Sequence, residues 1–101
     1  MTIQIDLQLL GKLRSEVKSK AEELRDRIED YRRERTDTFI WRTVYQTAEQ
    51  KIRAAEAADV PGAKYVLLVQ AAAILELLEK LLDDQKIRYR CRTLGNLGFR
   101  E

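Results

Sequence analysis

The residues near the C-terminus carry the side chains best suited to binding an anionic partner. Lys86 is followed by Arg88, Arg90 and Arg92 at every second position, with Tyr89 between the first two arginines. On one side of an extended strand these arginines would lie about 7 Å apart, close to the phosphate spacing of a nucleic-acid strand. Arginine suits bidentate phosphate contacts, and an aromatic ring can stack on a base. The pattern predicts contact with nucleic acid or with an acidic protein surface.

Two local structures fit this segment. The alternation over residues 87–93 has the period of a β-strand, but the same residues could continue the preceding helix into a frayed arm. Arginines that follow the last turn of a helix interact favourably with its dipole. They could also pair with acidic residues of the first helix in a partner subunit. We therefore expect protein contact first and nucleic acid as the alternative.

The residue types that most often perform catalysis are scarce in this chain. It has no histidine and one cysteine, Cys91, which removes the commonest general base, the usual zinc ligand clusters and a base-activated thiol. The four glycines do not form a phosphate-binding loop. We expect no catalytic residue, no metal ligand and no cofactor, so that the protein is not an enzyme. One cysteine cannot form an internal disulfide, which favours a cytoplasmic location.

Three pairs of carboxylates are spaced one helical turn apart, so that each pair could chelate one magnesium ion. They are Asp26-x-x-Glu29, Glu56-x-x-Asp59 and Glu76-x-x-Glu79. The pattern resembles that of the all-α nucleotide pyrophosphohydrolases, whose paired acidic motifs hold magnesium against a triphosphate. The resemblance implies a metal-dependent all-α nucleotide hydrolase, which we keep as a distant alternative. A solvated or ion-paired helix surface is our first interpretation, because the first pair lies in a run of mixed charge and the second abuts Pro61.

The most apolar stretch of the chain is residues 65–82, and the other segments must either cover it or lead away from it. It carries no charge between Lys64 and Glu76. As a helix it has two neighbouring apolar stripes, which together exceed the arc of roughly 100° that a surface helix buries. The first stripe contains Val66, Val69, Ala73 and Leu77, and the second contains Leu67, Leu68, Ala71, Leu75, Leu78 and Leu82.

This stretch predicts self-association. Its eleven uncharged residues are too few for a membrane span, which needs about 20, so we expect no membrane contact. A single 101-residue domain with a heavily charged first third has little chain with which to surround such a helix. We expect a homo-oligomer, with a dimer favoured, whose interface is formed by Val66, Val69, Ala73, Leu77 and Leu81.

Three helices are predicted to build the fold. Apolar residues with three-four spacing predict a helix over about 7–35, capped by Asp6, with the narrow stripe of a coiled-coil seam. The stripe resumes over 38–58, either in continuity or after a break at which Thr36 or Asp37 caps a new helix. A turn at 59–62 contains Pro61 and Gly62 and leads into the central helix, 62–85. Residues 2–9 fit a strand or a helix end.

Composition supports the same organisation. Charged residues make up 36% of the chain, above a typical ~25%. The formal charge is +2, with +4 in residues 86–101 and −2 in the rest. We therefore divide the chain into a helical domain, 1–85, and a basic arm, 86–101. The expected fold is all-α, with short β segments allowed at the termini, and the expected function is that of a non-enzymatic adaptor, assembly or regulatory factor acting through protein contacts.

Overall fold

The computed structural model of the chain describes residues 6–96, and it describes side-chain surroundings over residues 6–84. Three helices follow one another: α1 (Leu7–Arg33), α2 (Phe39–Ala57) and α3 (Pro61–Asn96). The described residues contain no strand. The predicted all-α bundle is confirmed. The alternative of a strand over 87–93 is wrong, because those residues continue α3. Residues 2–5 lie outside the described part of the chain.

The beginning of each helix follows from local chemistry. Asp6 caps α1, since its Oδ1 accepts a hydrogen bond from the Gln8 amide at 2.9 Å. Of the two alternatives for this segment, a continuous helix or a break, the structure shows the break, which lies at residues 34–38. Thr38 is the N-cap of α2, but its side chain accepts no capping hydrogen bond. Asp37 supplies that bond instead, accepting from the Phe39 amide at 3.0 Å.

The end of α1 is a Schellman motif with an unusual residue in its left-handed position. The Thr36 amide donates to the Tyr31 carbonyl and the Arg35 amide to the Arg32 carbonyl, both at 3.0 Å. Arg35 has φ of 63°, a conformation that favours glycine because it has no Cβ. The motif turns the chain so that α2 returns along α1, and the Tyr31 and Trp41 rings meet with centroids 5.0 Å apart.

The three helices run up, down and up. Lys20 pairs with Glu79 and Arg27 pairs with Asp83, so α1 and α3 run in the same direction. The hydrogen bond of Lys64 Nζ to the Ala55 carbonyl, 3.0 Å long, ties the start of α3 to the end of α2. Fourteen apolar residues from all three helices form one core, and its α3 members are Leu68, Ala71, Leu75, Leu78 and Leu82.

Helix α3 is longer than the predicted 62–85. Its backbone stays helical to Asn96, because residues 85–94 contain no proline or glycine to stop it. The boundary drawn at residue 85 therefore lies within one continuous helix. Beyond the Arg27–Asp83 pair, α1 has six more residues and α3 has thirteen. At about 1.5 Å per residue, the last seven residues of α3 extend past the end of α1.

Leu75 tests the core. Its side chain is fully buried, so we expect Leu75→Ala to lower the free energy of unfolding by about 2–5 kcal/mol through lost burial and a cavity. Leu9→Ala is the control, because Leu9 is 64% exposed and its truncation should cost no more than about 0.5 kcal/mol. Chemical denaturation at one low protein concentration would measure both, and equal effects would contradict this assignment of the core.

Arg35 tests the turn. Arg35→Gly should raise the free energy of unfolding by about 0.5–1 kcal/mol, because relief of the left-handed strain exceeds the entropy that glycine loses on folding. Arg33→Gly is the matched control, since Arg33 is the last residue of α1 and glycine there should destabilise. Thermal unfolding followed by circular dichroism would compare them. A loss of stability at position 35 would show that Arg35 contributes contacts that outweigh its strain.

Candidate interaction surface

Four apolar residues of α3 form a stripe that the folded chain leaves uncovered. We call Val66, Val69, Ala73 and Leu77 the outer stripe; Val66 is 52%, Val69 42% and Leu77 53% exposed, and Ala73 is exposed as well. Its first and last members are eleven positions apart, about 17 Å along the helix axis. The outer stripe points away from the core because the opposite side of α3 packs on α1 and α2.

The structure leaves four of the five residues of the predicted oligomer interface exposed and partly buries the fifth. Its first four residues are the outer stripe, whereas Leu81 is half-buried and packs against the core. The second predicted stripe is the one that the chain covers itself: five of its members are buried, and Leu67 is half-buried. The chain therefore covers one side of α3 and leaves the other to solvent.

Polar side chains border the outer stripe. Glu76 and Lys80 pair across one turn of α3 at 3.5 Å, and both are more than two-thirds exposed. Gln70 is exposed between Val69 and Ala73. An apolar centre with a charged border is the usual anatomy of a protein interface, while an exposed pair of this kind contributes little to stability.

A groove runs between α1 and α3 beside the outer stripe. Its apolar floor is formed by Leu13, Val17, Ala72 and Leu75 around a cavity of about 210 Å³. We call this space the α1–α3 groove. A second, polar depression lies toward the C-terminal end of α1 and is lined by Glu23, Arg27, Asp30, Tyr31 and Asp83.

Ion pairs cross the α1–α3 groove. Lys20 contacts Glu79, and this hydrogen-bonded carboxylate raises the pKa of the Lys20 ammonium above its ordinary value. Arg27 pairs with Asp83 at 2.8 Å. These partly exposed pairs orient α1 relative to α3 without contributing much free energy.

The carboxylate pairs considered as magnesium ligands are engaged with basic side chains. Each pair has at least one such carboxylate: Glu29 with Arg32, Glu56 with Arg14 and Lys18, Glu76 with Lys80, and Glu79 with Lys20. Asp26 and Asp59 are exposed. Over the residues described, no group of three or more acidic, cysteine or histidine side chains is placed to hold a metal ion.

Residues 86–96 of the basic arm lie in the extension of α3, and residues 97–101 lie outside the described part of the chain. The positions of Lys86, Arg88, Tyr89, Arg90 and Arg92 are helical, and their side chains lie outside the part of the structure that is described. In a helix, positions 88 and 92 share one face and position 90 lies on another. The row of evenly spaced arginines expected from a strand is therefore not formed.

Comparison of the chain with protein-family models, with curated proteins and with solved structures finds no match. Among the described residues, no helix combines the length and apolarity that crossing a membrane requires.

Sequence reasoning missed the α1–α3 groove, although a signal was present. Glu16, Glu23 and Asp30 recur every seven residues, and Lys20 and Arg27 do the same between them. Residues seven apart lie on nearly the same side of a helix. This charged row lies beside the apolar seam of α1, at the edge that faces α3.

Glu56 gives a measurable test of the contacts around α1. Hydrogen bonds from Lys18 and Arg14 hold the pKa of its carboxyl below the ordinary value of 4.5. A carboxyl whose pKa is lower in the folded chain adds stability above its unfolded pKa, and this is lost as pH falls through the folded pKa. We expect a carbon-detected NMR titration to show the lowered pKa, and Lys18→Gln to move it back upward. An unchanged midpoint in that variant would contradict the pairing.

Proposed function

We propose that this protein is a non-enzymatic, self-associating helical protein that acts through protein–protein contacts, as an adaptor, assembly factor or regulator. The observation that supports the proposal is the outer stripe of α3, which the folded chain leaves half-exposed. An exposed apolar row with a polar border is typical of an association surface. A homodimer is the simplest assembly, because a two-fold axis lets the same stripe cover itself.

The free energy of the outer stripe sets the size of the interface. Its three larger side chains are each about half exposed. Burying the exposed half of each one in an interface would contribute on the order of 1 kcal/mol of binding free energy per side chain. A micromolar complex requires about 8 kcal/mol. The outer stripe alone therefore cannot hold two copies together, and the contact must extend onto neighbouring surfaces.

Two other functions stay as alternatives of different weight. Nucleic-acid binding by the basic arm is favoured by its charge of +4 but not by the helical backbone of its described part. Among the side chains that the structure describes, no carboxylate cluster favours a metal-dependent nucleotide hydrolase. We place the protein in the cytoplasm because a single cysteine suits a reducing compartment.

Leu77 tests the association. Leu77→Lys puts a charge at the C-terminal end of the outer stripe, and we expect it to weaken self-association at least about tenfold. Ile40→Lys is the control, because Ile40 is also an exposed aliphatic residue, 68% exposed, but lies on α2. Analytical ultracentrifugation over a range of concentrations would give the dissociation constants.

Either of two outcomes would overturn the proposal. A wild-type chain that stays monomeric at tens of micromolar would show that the protein does not self-associate at these concentrations, so that the outer stripe is not a dimer interface. Equal dissociation constants for the wild type, Leu77→Lys and Ile40→Lys would place the interface elsewhere. Circular dichroism of both variants would verify that each keeps its helical content.

A further inference from the structure

We propose that the outer stripe binds the outer stripe of a second copy in antiparallel orientation, about a two-fold axis that passes between Val69 and Gln70. In this arrangement Lys80 of each copy pairs with Asp59 of the other. The arrangement rests on the proposed function, because it requires that two copies associate through this side of α3, and it adds their orientation and register.

The charge distribution along α3 favours the antiparallel orientation. The exposed positions within 65–73 carry no charge, and those within 76–84 are all charged except Leu77. The helix then continues into residues 86–96, whose four basic residues and no carboxylate give a formal charge of +4. A parallel pair would place each of these charges beside its own counterpart. Reversing one copy overlaps the uncharged halves and separates the like charges.

The sizes of the side chains fit an axis at this position. It places Val66 opposite Ala73 and Leu77 opposite Gly62, because the members of each pair lie equally far on either side of the axis. Each larger side chain therefore meets a small residue, which lets the facing layers interdigitate. A parallel pair would instead set Ala73 against Ala73 and leave a gap between two valine layers and a leucine layer.

The same axis places two opposite charges opposite each other. Lys80 is 73% exposed, and its contact with Glu76 is long, at 3.5 Å. Asp59 lies exposed in the turn before α3 and makes no ion pair within the described part of its own chain. Sliding one copy by about one helical turn would bring Asp59 level with Asp84, another carboxylate. Charge thus selects the register as well as the orientation.

Two further apolar residues extend the contact beyond the outer stripe. Val60 is 61% and Tyr65 46% exposed, and both precede the outer stripe in the chain. In the antiparallel pair Tyr65 lies level with residues 73–77 of the second copy, and Val60 lies beside the Lys80 end of the interface. The larger apolar side chains available for burial rise from three to five in each copy, which supplies neighbouring area that the outer stripe lacks.

A charge-swap experiment tests the ion pair. In the full-length chain, Lys80→Glu or Asp59→Lys alone places like charges opposite each other at both ends of the interface. We expect each single variant to self-associate about fivefold more weakly than wild type at low salt. The double variant restores opposite charges and should return to within about twofold of wild type. Analytical ultracentrifugation would give the dissociation constants.

Lys12→Glu and Asp26→Lys are the matched controls for net charge. They make the same changes of charge at exposed positions of α1, outside the proposed interface. Each should leave the dissociation constant within about twofold of wild type. Circular dichroism would verify that all of these variants keep their helical content.

Cysteine cross-linking measures the orientation without relying on binding energies. In a Cys91→Ser background, Gln70→Cys places a thiol beside the two-fold axis, so that the thiols of two copies come within disulfide reach. Lys80→Cys is the control, because an antiparallel pair holds its two thiols about 30 Å apart along the helices, whereas a parallel pair brings them together. We expect covalent dimers from Gln70→Cys and none from Lys80→Cys.

The outcomes that would overturn this arrangement differ from those that would overturn the proposed function. Covalent dimers from Lys80→Cys, or from neither variant, would overturn the antiparallel pair while self-association that is weakened by Leu77→Lys stands. A double charge variant that associates no better than Lys80→Glu would do the same for the pairing with Asp59. A wild type that stays monomeric at tens of micromolar would defeat both proposals.

Discussion

Helix α3 has to be covered on more than one side, and only α1 and α2 are available to cover it in the described chain. Leu68, Ala71, Leu75, Leu78 and Leu82 face both of those helices and are buried. The apolar residues of α1 and α2 with which they pack are the narrow stripes along those helices, so each helix has already used its apolar side. The large apolar residues that stay exposed on α1 and α2, such as Leu9 and Ile40, lie in the first turns of those helices. The uncovered side of α3 therefore follows from a three-helix arrangement in which the apolar stripes of both neighbours pack on the opposite side of α3.

The types of side chain along α1 explain why a groove opens between α1 and α3. Small residues bring α2 close to α3: Ala48 and Ala55 on α2 are buried, as is Ala71 on α3. The edge of α1 that faces α3 instead carries long charged side chains, among them Glu16, Lys20 and Glu23. Long side chains with charged ends keep those ends in water, so they hold two helices apart where alanine would let them approach. The charged row of α1 and the groove beside it therefore have the same cause.

The helices could be predicted because their apolar residues recur with a clear period and their boundaries carry specific chemistry, such as Asp6 and Pro61. The end of α3 could not, because the alternation over residues 87–93 resembles a strand locally. A strand also needs a partner strand, and residues 6–96 contain none. The burial of Leu81, at the edge between two stripes, depended on the exact rotation of α3 against α2. The groove was missed because its charged row was interpreted as solvated surface.

The helical backbone of the arm changes what its charges can do. In a helix, positions 88 and 92 share one face and position 90 lies on another, so a nucleic-acid strand laid along one face meets fewer arginines than a β-strand would present. The carboxylates between α1 and α3 already have partners in their own chain, since Glu79 pairs with Lys20 and Asp83 with Arg27. The arm's cations are therefore not needed to neutralise that surface. Nucleic-acid binding by a helical arm would make fewer simultaneous phosphate contacts, and it should weaken less steeply with salt than binding by an extended strand.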